Sequence, residues 1–405
     1  MMRYAKEGVG EAIVDIVGSI NAIDVARGSA PTMLANYGHI PATLKTPREI
    51  YDAAMKVKSE VAGLGGREEL YINGMVDAFA MYARTLEGDK IPYKEAIKVM
   101  QQVDLAPIPQ SDYDTLAARI GEALGKLGYT GTVGDQVSAF LKNTAIEPDQ
   151  VGNVAMQFLG KAKEATERLV VQLNPADGVD AVNTVRGMFW SGYSRYIDDF
   201  RGDLSFNIDR PWSLPTFGNI LCHEGYPGHQ AFYSHWDDLY RKGLLPLEGA
   251  YYSTAGNPAN CMFEGSPDTG LHFLGWDDFD ENTPEITDEE KRTFAIGRDI
   301  LDLQRILQTQ ACYRYHVEGA SHDEVVAFML STGIYNQVEA ENSFRFFTDR
   351  VQQYYYPCYY YGHWMIHDWY EKVPKDKRSA FFRLLYDRPH TNETFVKETQ
   401  ELLAD

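Results

Sequence analysis

The sequence predicts a mainly α-helical fold, because apolar residues recur at helical spacing along most of its 405 residues. Thr46-Pro47-Arg48-Glu49 is typical of a helix start, with a capping threonine, a proline in the first turn and a glutamate that closes a capping box. Similar starts lie at 287–290 and 321–324. In order, helices are predicted after Glu49, over 68–86, 92–103, 112–127, 134–141 and 149–173, and after each of the two later starts.

One short segment departs from this pattern. Leu204, Phe206 and Ile208 alternate with polar residues, which predicts a small β element. The glycine- and aspartate-rich loop 174–180 is the predicted boundary between an N-terminal helical lobe, 1–175, and a second lobe, 176–405, although the two could form one continuous unit. A cleft between the lobes would hold a substrate.

Composition excludes some classes of partner. The net charge of −20 argues against nucleic acid and against anionic membrane surfaces. No apolar run approaches the length of a transmembrane helix, and the first residues lack the apolar core of a signal peptide, so we expect a cytoplasmic protein. The four cysteines, Cys222, Cys261, Cys312 and Cys358, form no paired spacing. Cys222 and Cys261 lie beside the motifs described below and are interpreted as small buried residues, the alternative being that one is a ligand or a redox switch.

The segment His-Glu-Gly-Tyr-Pro-Gly-His at 223–229 is the most informative in the chain. Neutral imidazoles are preferred ligands of zinc, and a carboxylate beside such a site can take a proton from water. The two histidines are six residues apart, which leaves them about 120° apart around a regular helix. Pro227 and Gly228 favour a bulge that brings His229 back toward His223. The alternative is a helix end followed by an unrelated helix.

A zinc site of this kind needs a third protein ligand. Glu264 follows the apolar run 261–263, which suggests burial, and a buried glutamate is costly unless it is paired or binds a metal. Asp268 lies four residues later and, in a helix, would share a face with Glu264 and could accept a hydrogen bond from a ligating histidine. Alternatively, Glu264 is a helix-start or salt-bridge residue and Asp268 is a helix cap.

The chain resembles a known family at these motifs. H-E-x-Y-P-G-H, then Glu-Gly about thirty-five residues later, then Tyr-Tyr-x-Gly near the C-terminus look like the bacterial family catalogued as domain of unknown function 885. That family is similar to gluzincin metallopeptidases, in particular the helical carboxypeptidase Taq group. The resemblance covers about 206–365. It implies His223, His229 and Glu264 as zinc ligands, Glu224 as general base and a metallopeptidase-like helical fold with a cleft.

Two further points follow from the resemblance. Where the family continues as a helix with small or apolar residues, this chain has Glu264-Gly265-Ser266-Pro267, which puts the role of Asp268 in question. In gluzincins a strand near the metal helix pairs with extended substrate, which the predicted strand at 204–208 could do by β-augmentation. A purely structural hairpin is the alternative.

Six tyrosines lie within 354–361, around a proline. A tyrosine hydroxyl can stabilise an oxyanion, and Tyr360, Tyr361 or His363, with Arg345 or Arg350 nearby, are candidate donors. A packed aromatic helix is the alternative. His272 is a candidate for lining the same pocket. His367 has no ligand partner at a useful spacing and is interpreted as an ordinary polar residue.

These observations lead to one leading hypothesis and two alternatives. The leading hypothesis is a zinc-dependent peptidase with one zinc ion per chain, cleaving a peptide or small amide substrate with Glu224 as general base. A metal-dependent amidohydrolase acting on a non-peptide amide or ester would use the same residues. A catalytically inactive helical scaffold is the third possibility. No nucleic acid or membrane partner is expected.

Overall fold

The computed structural model describes residues 3–404 and confirms a mainly α-helical fold. The N-terminal helices are α1 (Val9–Ala26), α2 (Pro47–Val61), α3 (Gly66–Glu87), α4 (Tyr93–Met100), α5 (Gln110–Lys126), α6 (Val133–Asn143) and α7 (Val151–Leu169). The later helices are α8 (Leu214–Glu224), α9 (His229–Arg241), α10 (Asn260–Asp268), α11 (Gly270–Phe273), α12 (Asp288–His316), α13 (His322–Ser331), α14 (Gln337–Thr348), α15 (Gln352–Tyr355), α16 (Pro357–Lys372), α17 (Arg378–Tyr386) and α18 (Asn392–Ala404).

The predicted helix starts are confirmed by their capping bonds. The Thr46 side chain accepts a hydrogen bond from the backbone N–H of Glu49, and the Glu49 carboxylate accepts one from the backbone N–H of Thr46. Equivalent reciprocal caps begin α12 at Thr287 and α13 at Ser321. These carboxylates satisfy N–H groups that a helix leaves free at its first turn, so they belong to the scaffold.

Short strands accompany the helices. They are β1 (Met33–Asn36), β2 (Ala145–Ile146), β3 (Gly178–Val185), β4 (Gly192–Asp198), β5 (Arg201–Asn207), β6 (Trp212–Ser213) and β7 (Tyr251–Ser253). The pairs β1–β7 and β2–β6 are antiparallel ribbons, and a three-stranded sheet has the order β3-β5-β4.

The predicted strand at 204–208 corresponds to the end of β5, the central strand of this sheet. β5 pairs with β3 in parallel and with β4 in antiparallel register, so both of its edges are occupied. It therefore cannot take up an extended peptide as an added strand. The segment 178–198, which supplies β3 and β4, was not predicted as β structure.

Four hydrophobic clusters form the interior of the described chain. One joins α1 to α4 with α9, α16, α17 and α18, and a second joins α5 and α6 with α12 to α14. A third joins α7 with α8, α11 and β5, and a small fourth joins α4 with α10, α15 and α16. Each contains residues from both sides of the predicted boundary at 175/176, and the division into two lobes stays a prediction. Within residues 3–404 no helix is long and apolar enough to span a bilayer. The cytoplasmic location also stays a prediction.

Candidate metal centre

Two successive helices bring the motif histidines together. α8 ends at Glu224 and α9 begins at His229, with four residues between them. The Gly228 N–H donates to the Cys222 carbonyl at 3.0 Å, which turns the chain back on the end of α8. A Cβ on Gly228 would overlap the His223 carbonyl oxygen, so only glycine fits here. The imidazole centroids of His223 and His229 lie 4.7 Å apart, as predicted, although the segment is a helix break and not a bulge.

Glu264 reaches the same point from α10. Its Oε2 lies 3.2 Å from His223 Nε2 and its Oε1 lies 3.5 Å from His229 Nε2. One ligand atom from each of the three residues lies within 4.8 Å of the other two, and all three side chains are buried. The structure thus brings the three sequence-predicted metal ligands together.

Two tyrosine hydroxyls orient the Glu264 carboxylate. Tyr355, from α15, and Tyr252, from β7, both donate to Glu264 Oε1, the latter at 3.3 Å. Glu264 Oε2 is buried and accepts no hydrogen bond from the described residues. A buried carboxylate oxygen without a donor is costly unless a cation satisfies it. Oε2 is therefore the oxygen best placed to bind a metal.

Asp268 holds the other side of the His223 ring. α10 is helical through Pro267, so Asp268 lies one turn after Glu264, and its Oδ1 contacts His223 Nδ1 at 2.7 Å. Arg305, on α12, donates to the same Oδ1 at 2.6 Å. With Nδ1–H donating to Asp268, His223 presents the Nε2 lone pair toward Glu264. The helix that the sequence left in question is present, with Asp268 where the prediction placed it.

The two histidines have opposite electrostatic surroundings. Burial lowers the pKa of His223, but Asp268 and Glu264 together raise it well above its ordinary value. Burial, reinforced by His223, lowers the pKa of His229 well below its ordinary value. His229 Nδ1 has no hydrogen-bond partner among the described residues. A proton or a divalent cation between the two rings and Glu264 would satisfy the acceptor atoms that face one another there.

Glu224 lies at the end of α8, facing β4. Its Oε1 is so close to Gly192 that a Cβ there would come within 2.7 Å. Burial raises the pKa of Glu224 to about 7, with Glu264 and Asp268 adding to the effect and His223 opposing it. Such a carboxyl group can both accept and release a proton near neutral pH.

A cavity of about 240 Å³ opens onto His223 and Glu224. Its walls come mainly from the segment before β4, from α8, α12 and α14, and from the start of α16. Tyr359 lines it, with its ring centroid 6.4 Å from that of His223. Burial and the charges of Glu264 and Cys358 raise the pKa of Tyr359 well above its ordinary value, so its hydroxyl stays a donor. Aromatic rings of Phe189, Trp190, Phe346, Tyr335 and Tyr356 complete the lining.

The candidate oxyanion donors of the sequence lie elsewhere. Among residues 3–404, the lining of this cavity does not include Tyr360, Tyr361 or His363. The Tyr361 hydroxyl bonds the Ala106 backbone, and the Tyr360 ring packs on Tyr361 and Trp364. His363 is buried with Nε2 3.2 Å from Asp302 Oδ1. Tyr359 lines the cavity while its neighbours Tyr360 and Tyr361 do not, because one helical position turns a side chain by about 100°.

The two candidate arginines are also outside the cavity lining within the described chain. Arg345 is directed toward Asn342 at 3.4 Å, and Arg350 binds Asp24 at 2.8 Å. Two other arginines, Arg210 and Arg305, line the cavity, and Arg305 also binds Asp268; the sequence reasoning missed both. No spacing signal links Arg305 to Asp268, since they lie on different helices.

Gly265 of the Glu-Gly motif and Gly362 of the Tyr-Tyr-x-Gly motif lie in contact with each other. A Cβ on Gly265 would overlap the backbone of Gly362, and a Cβ on Gly362 would overlap the backbone of Cys261. α10 and α16 therefore cross with their backbones in contact. Glu264, beside this crossing, accepts a hydrogen bond from Tyr355 of α15. The Glu-Gly and Tyr-Tyr-x-Gly motifs thus supply the two halves of one close helix packing.

Comparison with known proteins shows relatives in fold only. No family model matches the chain, and no curated protein matches it. The chain is similar to a crystal structure from Colwellia psychrerythraea, with a TM-score of 0.61 and 14% identity, covering 96% of this chain and 70% of that one. It is also similar to a structure from Shewanella oneidensis, with a TM-score of 0.54 and 17% identity, covering 96% and 77%. Both are described as a "putative lipoprotein", the second of unknown function. At such identities the likeness shows a shared fold alone.

Proposed function

We propose that this protein is a zinc-dependent peptidase. The observation that carries the proposal is the convergence of three buried acceptors, from His223, His229 and Glu264, on one point beside a cavity. Two imidazoles and one carboxylate are a donor set that zinc favours in hydrolytic enzymes. This arrangement supports the predicted ligand set, with Glu224 as its base.

The spacing of these acceptors fits the ion. Bonds of 2.0–2.1 Å in a tetrahedron place ligand atoms about 3.3 Å apart. Glu264 Oε2, the oxygen best placed to bind the ion, lies 3.2 Å from His223 Nε2, close to that value. Zinc supplies Lewis acidity and acidifies a water molecule at such a site. Asp268 and Arg305 fix the His223 ring before any ion arrives.

Glu224 provides the proton transfer. Its carboxylate accepts a proton from the attacking water and then donates it to the nitrogen of the leaving amine. Burial keeps its affinity for a proton high enough to hold it between the two steps. The close approach of Gly192 confines the carboxylate.

Tyr359 is the best placed donor to the developing oxyanion. Its ring stands across the cavity wall from His223 and its hydroxyl stays protonated. A hydrogen bond that forms fully only in the transition state raises kcat more than it tightens substrate binding.

The edge of β4 supports a peptide as the substrate. β4 is the outer strand of its sheet, and residues 191 and 192 line the cavity beside Glu224. An extended chain laid along this edge would pass the carboxylate of Glu224. We therefore assign the pairing with substrate to β4 instead of the predicted strand, β5. A non-peptide amide or ester would need Glu224 and the metal ligands but not the strand edge.

The substitution Glu224→Gln tests the mechanism. The variant should retain about one zinc per chain, because the amide does not remove a ligand, while peptide hydrolysis should fall by about 10²- to 10⁴-fold or more. Zinc is measured by elemental analysis and activity by digestion of a peptide library with and without chelator. Glu164→Gln, an exposed change on α7, is the matched control.

Three other results would separate the alternatives. Hydrolysis of small amides or esters without cleavage of any peptide would favour the amidohydrolase. Absence of zinc after gentle purification would favour the inactive scaffold. Full peptidase activity in Glu224→Gln would refute the role given to this residue.

A further inference from the structure

A second group of potential metal ligands lies away from the cavity. His272, on α11, and His367 and Glu371, on α16, each offer one ligand atom within 4.8 Å of the other two. The rings of His272 and His367 are 5.1 Å apart. Glu371 follows His367 by four residues, so both side chains project from the same face of α16. None of the three lines the cavity beside His223 in the part of the chain that the structure describes.

The contacts of the His272 ring resemble those that orient a metal-ligating histidine. Its Nδ1 contacts Asp277 Oδ1 at 2.9 Å, and Arg298, on α12, binds the other oxygen of Asp277. The Asp277 carboxylate is fully buried. A buried aspartate that accepts from Nδ1–H leaves the Nε2 lone pair pointing outward. His272 Nε2 faces Glu371 Oε1 at 2.7 Å, a contact that needs a proton or a cation between the two acceptors.

His367 has an unused nitrogen. Its Nδ1 is buried and forms no hydrogen bond with any described residue. It lies 3.9 Å from Asp368 Oδ1, beyond hydrogen-bond distance. The Glu371 side chain is about half exposed at 53%, so it can turn to admit an ion from solvent. The group thus combines one oriented imidazole, one unsatisfied imidazole and one adjustable carboxylate.

We propose that His272, His367 and Glu371 bind a second divalent transition-metal ion of the zinc type. Two imidazoles with one carboxylate favour such an ion over calcium or magnesium, which prefer oxygen ligands. The ion would join α11 to α16, two helices that are otherwise linked through packing around Phe273 and Tyr370. With two partly exposed ligands and one exposed ligand, the second site binds more weakly and exchanges faster than the buried one.

This inference does not rest on the proposed function. The second site contains no carboxylate in the position of Glu224, so it adds stability and metal content but no hydrolysis. A failure of either proposal leaves the other standing.

The test is a zinc titration of the full chain after removal of metal with chelator. We expect the wild-type protein to bind two zinc ions per chain, one tightly and one more weakly, with a further rise in Tm as the weaker site fills. His367→Gln and Glu371→Gln should each lose the weaker event and keep the tight one. Zinc is counted by elemental analysis after equilibrium dialysis at several free zinc concentrations.

His322→Gln is the matched control. His322 also contacts carboxylates, Asp323 and Glu341, at 2.8 and 2.9 Å, but among the described residues no second imidazole shares that group. It should bind zinc like the wild-type protein. If the two test variants also bind zinc like the wild type, the proposal is overturned. Glu371→Gln changes only a half-exposed side chain, so it keeps the test decisive if His367→Gln does not fold.

Discussion

The buried group around His223 and the surface group around His272 share one supporting arrangement. In each, a histidine Nδ1 contacts an aspartate that an arginine of α12 also binds: Asp268 with Arg305, and Asp277 with Arg298. The arginines are seven residues apart, two turns along the same face of α12. Burial raises the pKa of Asp277, but Arg298 and His272 together lower it to about 2. Asp268 likewise keeps a lowered pKa despite burial, because of Arg305 and His223.

The two groups differ in the residues and the solvent exposure that surround their ligands. The buried group has Glu224 beside it, a cavity in front of it and tyrosine hydroxyls that orient its glutamate. The surface group has a half-exposed Glu371 and open solvent. Similar ligand sets therefore predict metal binding in both places, while the neighbouring carboxylate and cavity predict chemistry in only one.

Among the variants that distinguish the two groups, Tyr359→Phe should have the largest effect on activity. Removal of one donor to a developing oxyanion lowers kcat by about 10²- to 10³-fold while zinc binding at both groups stays unchanged. Tyr360→Phe, one residue along α16 and outside the cavity lining, should leave kcat unchanged. Steady-state kinetics on a peptide substrate separates kcat from KM. Equal kcat values for the two variants would remove Tyr359 from the mechanism.

A smaller effect, on zinc affinity, is expected when the aspartate that contacts the histidine is replaced in each group. Asp268→Asn should weaken zinc binding at the buried group by about 10- to 100-fold and reduce activity in step, because the His223 ring loses its charged acceptor. Asp277→Asn should weaken only the second zinc event and leave activity unchanged. Zinc affinity is measured by titration of each variant, and activity is then measured at saturating zinc. If Asp277→Asn lowers activity as much as Asp268→Asn does, the two groups are not independent.

The contiguous part of the site could be predicted from sequence. His223, Glu224 and His229 lie in one motif, Glu264 follows an apolar run, and Asp268 follows by one helical turn. These relations are local, so helix geometry and the cost of burying a charge were sufficient. The helix starts at Thr46, Thr287 and Ser321 were predictable for the same reason, since a cap and its partner are three residues apart.

The rest depends on contacts between distant segments. Arg305, Tyr252 and Tyr355 act on the site from three separate elements, and no periodicity connects them. His272 and His367 are ninety-five residues apart, which is why His367 was interpreted as an ordinary polar residue. β3 and β4 were missed because their half-exposed residues show no clean alternation.

The crossing of α10 and α16 offers the last test, because it connects both groups. α10 carries Glu264 and Asp268, and α16 carries His367 and Glu371. A methyl group at Gly265 would overlap the Gly362 backbone, so Gly265→Ala must push the two helices apart. We expect a loss of about 1–3 kcal/mol in the free energy of unfolding, as for other overpacked cores, measured by denaturant titration of the metal-free protein.

Gly160→Ala is the control for this change. Gly160 lies in the middle of α7, and an added Cβ there meets no atom within 4 Å. Alanine favours a helix by roughly 0.5–1 kcal/mol over glycine, so this variant should be slightly more stable than the wild type. Opposite signs for the two substitutions would show that close helix contact, and not helix propensity, requires glycine at 265. A gain in stability for Gly265→Ala would mean that the backbones of α10 and α16 do not touch, and that the two metal groups are positioned by other contacts.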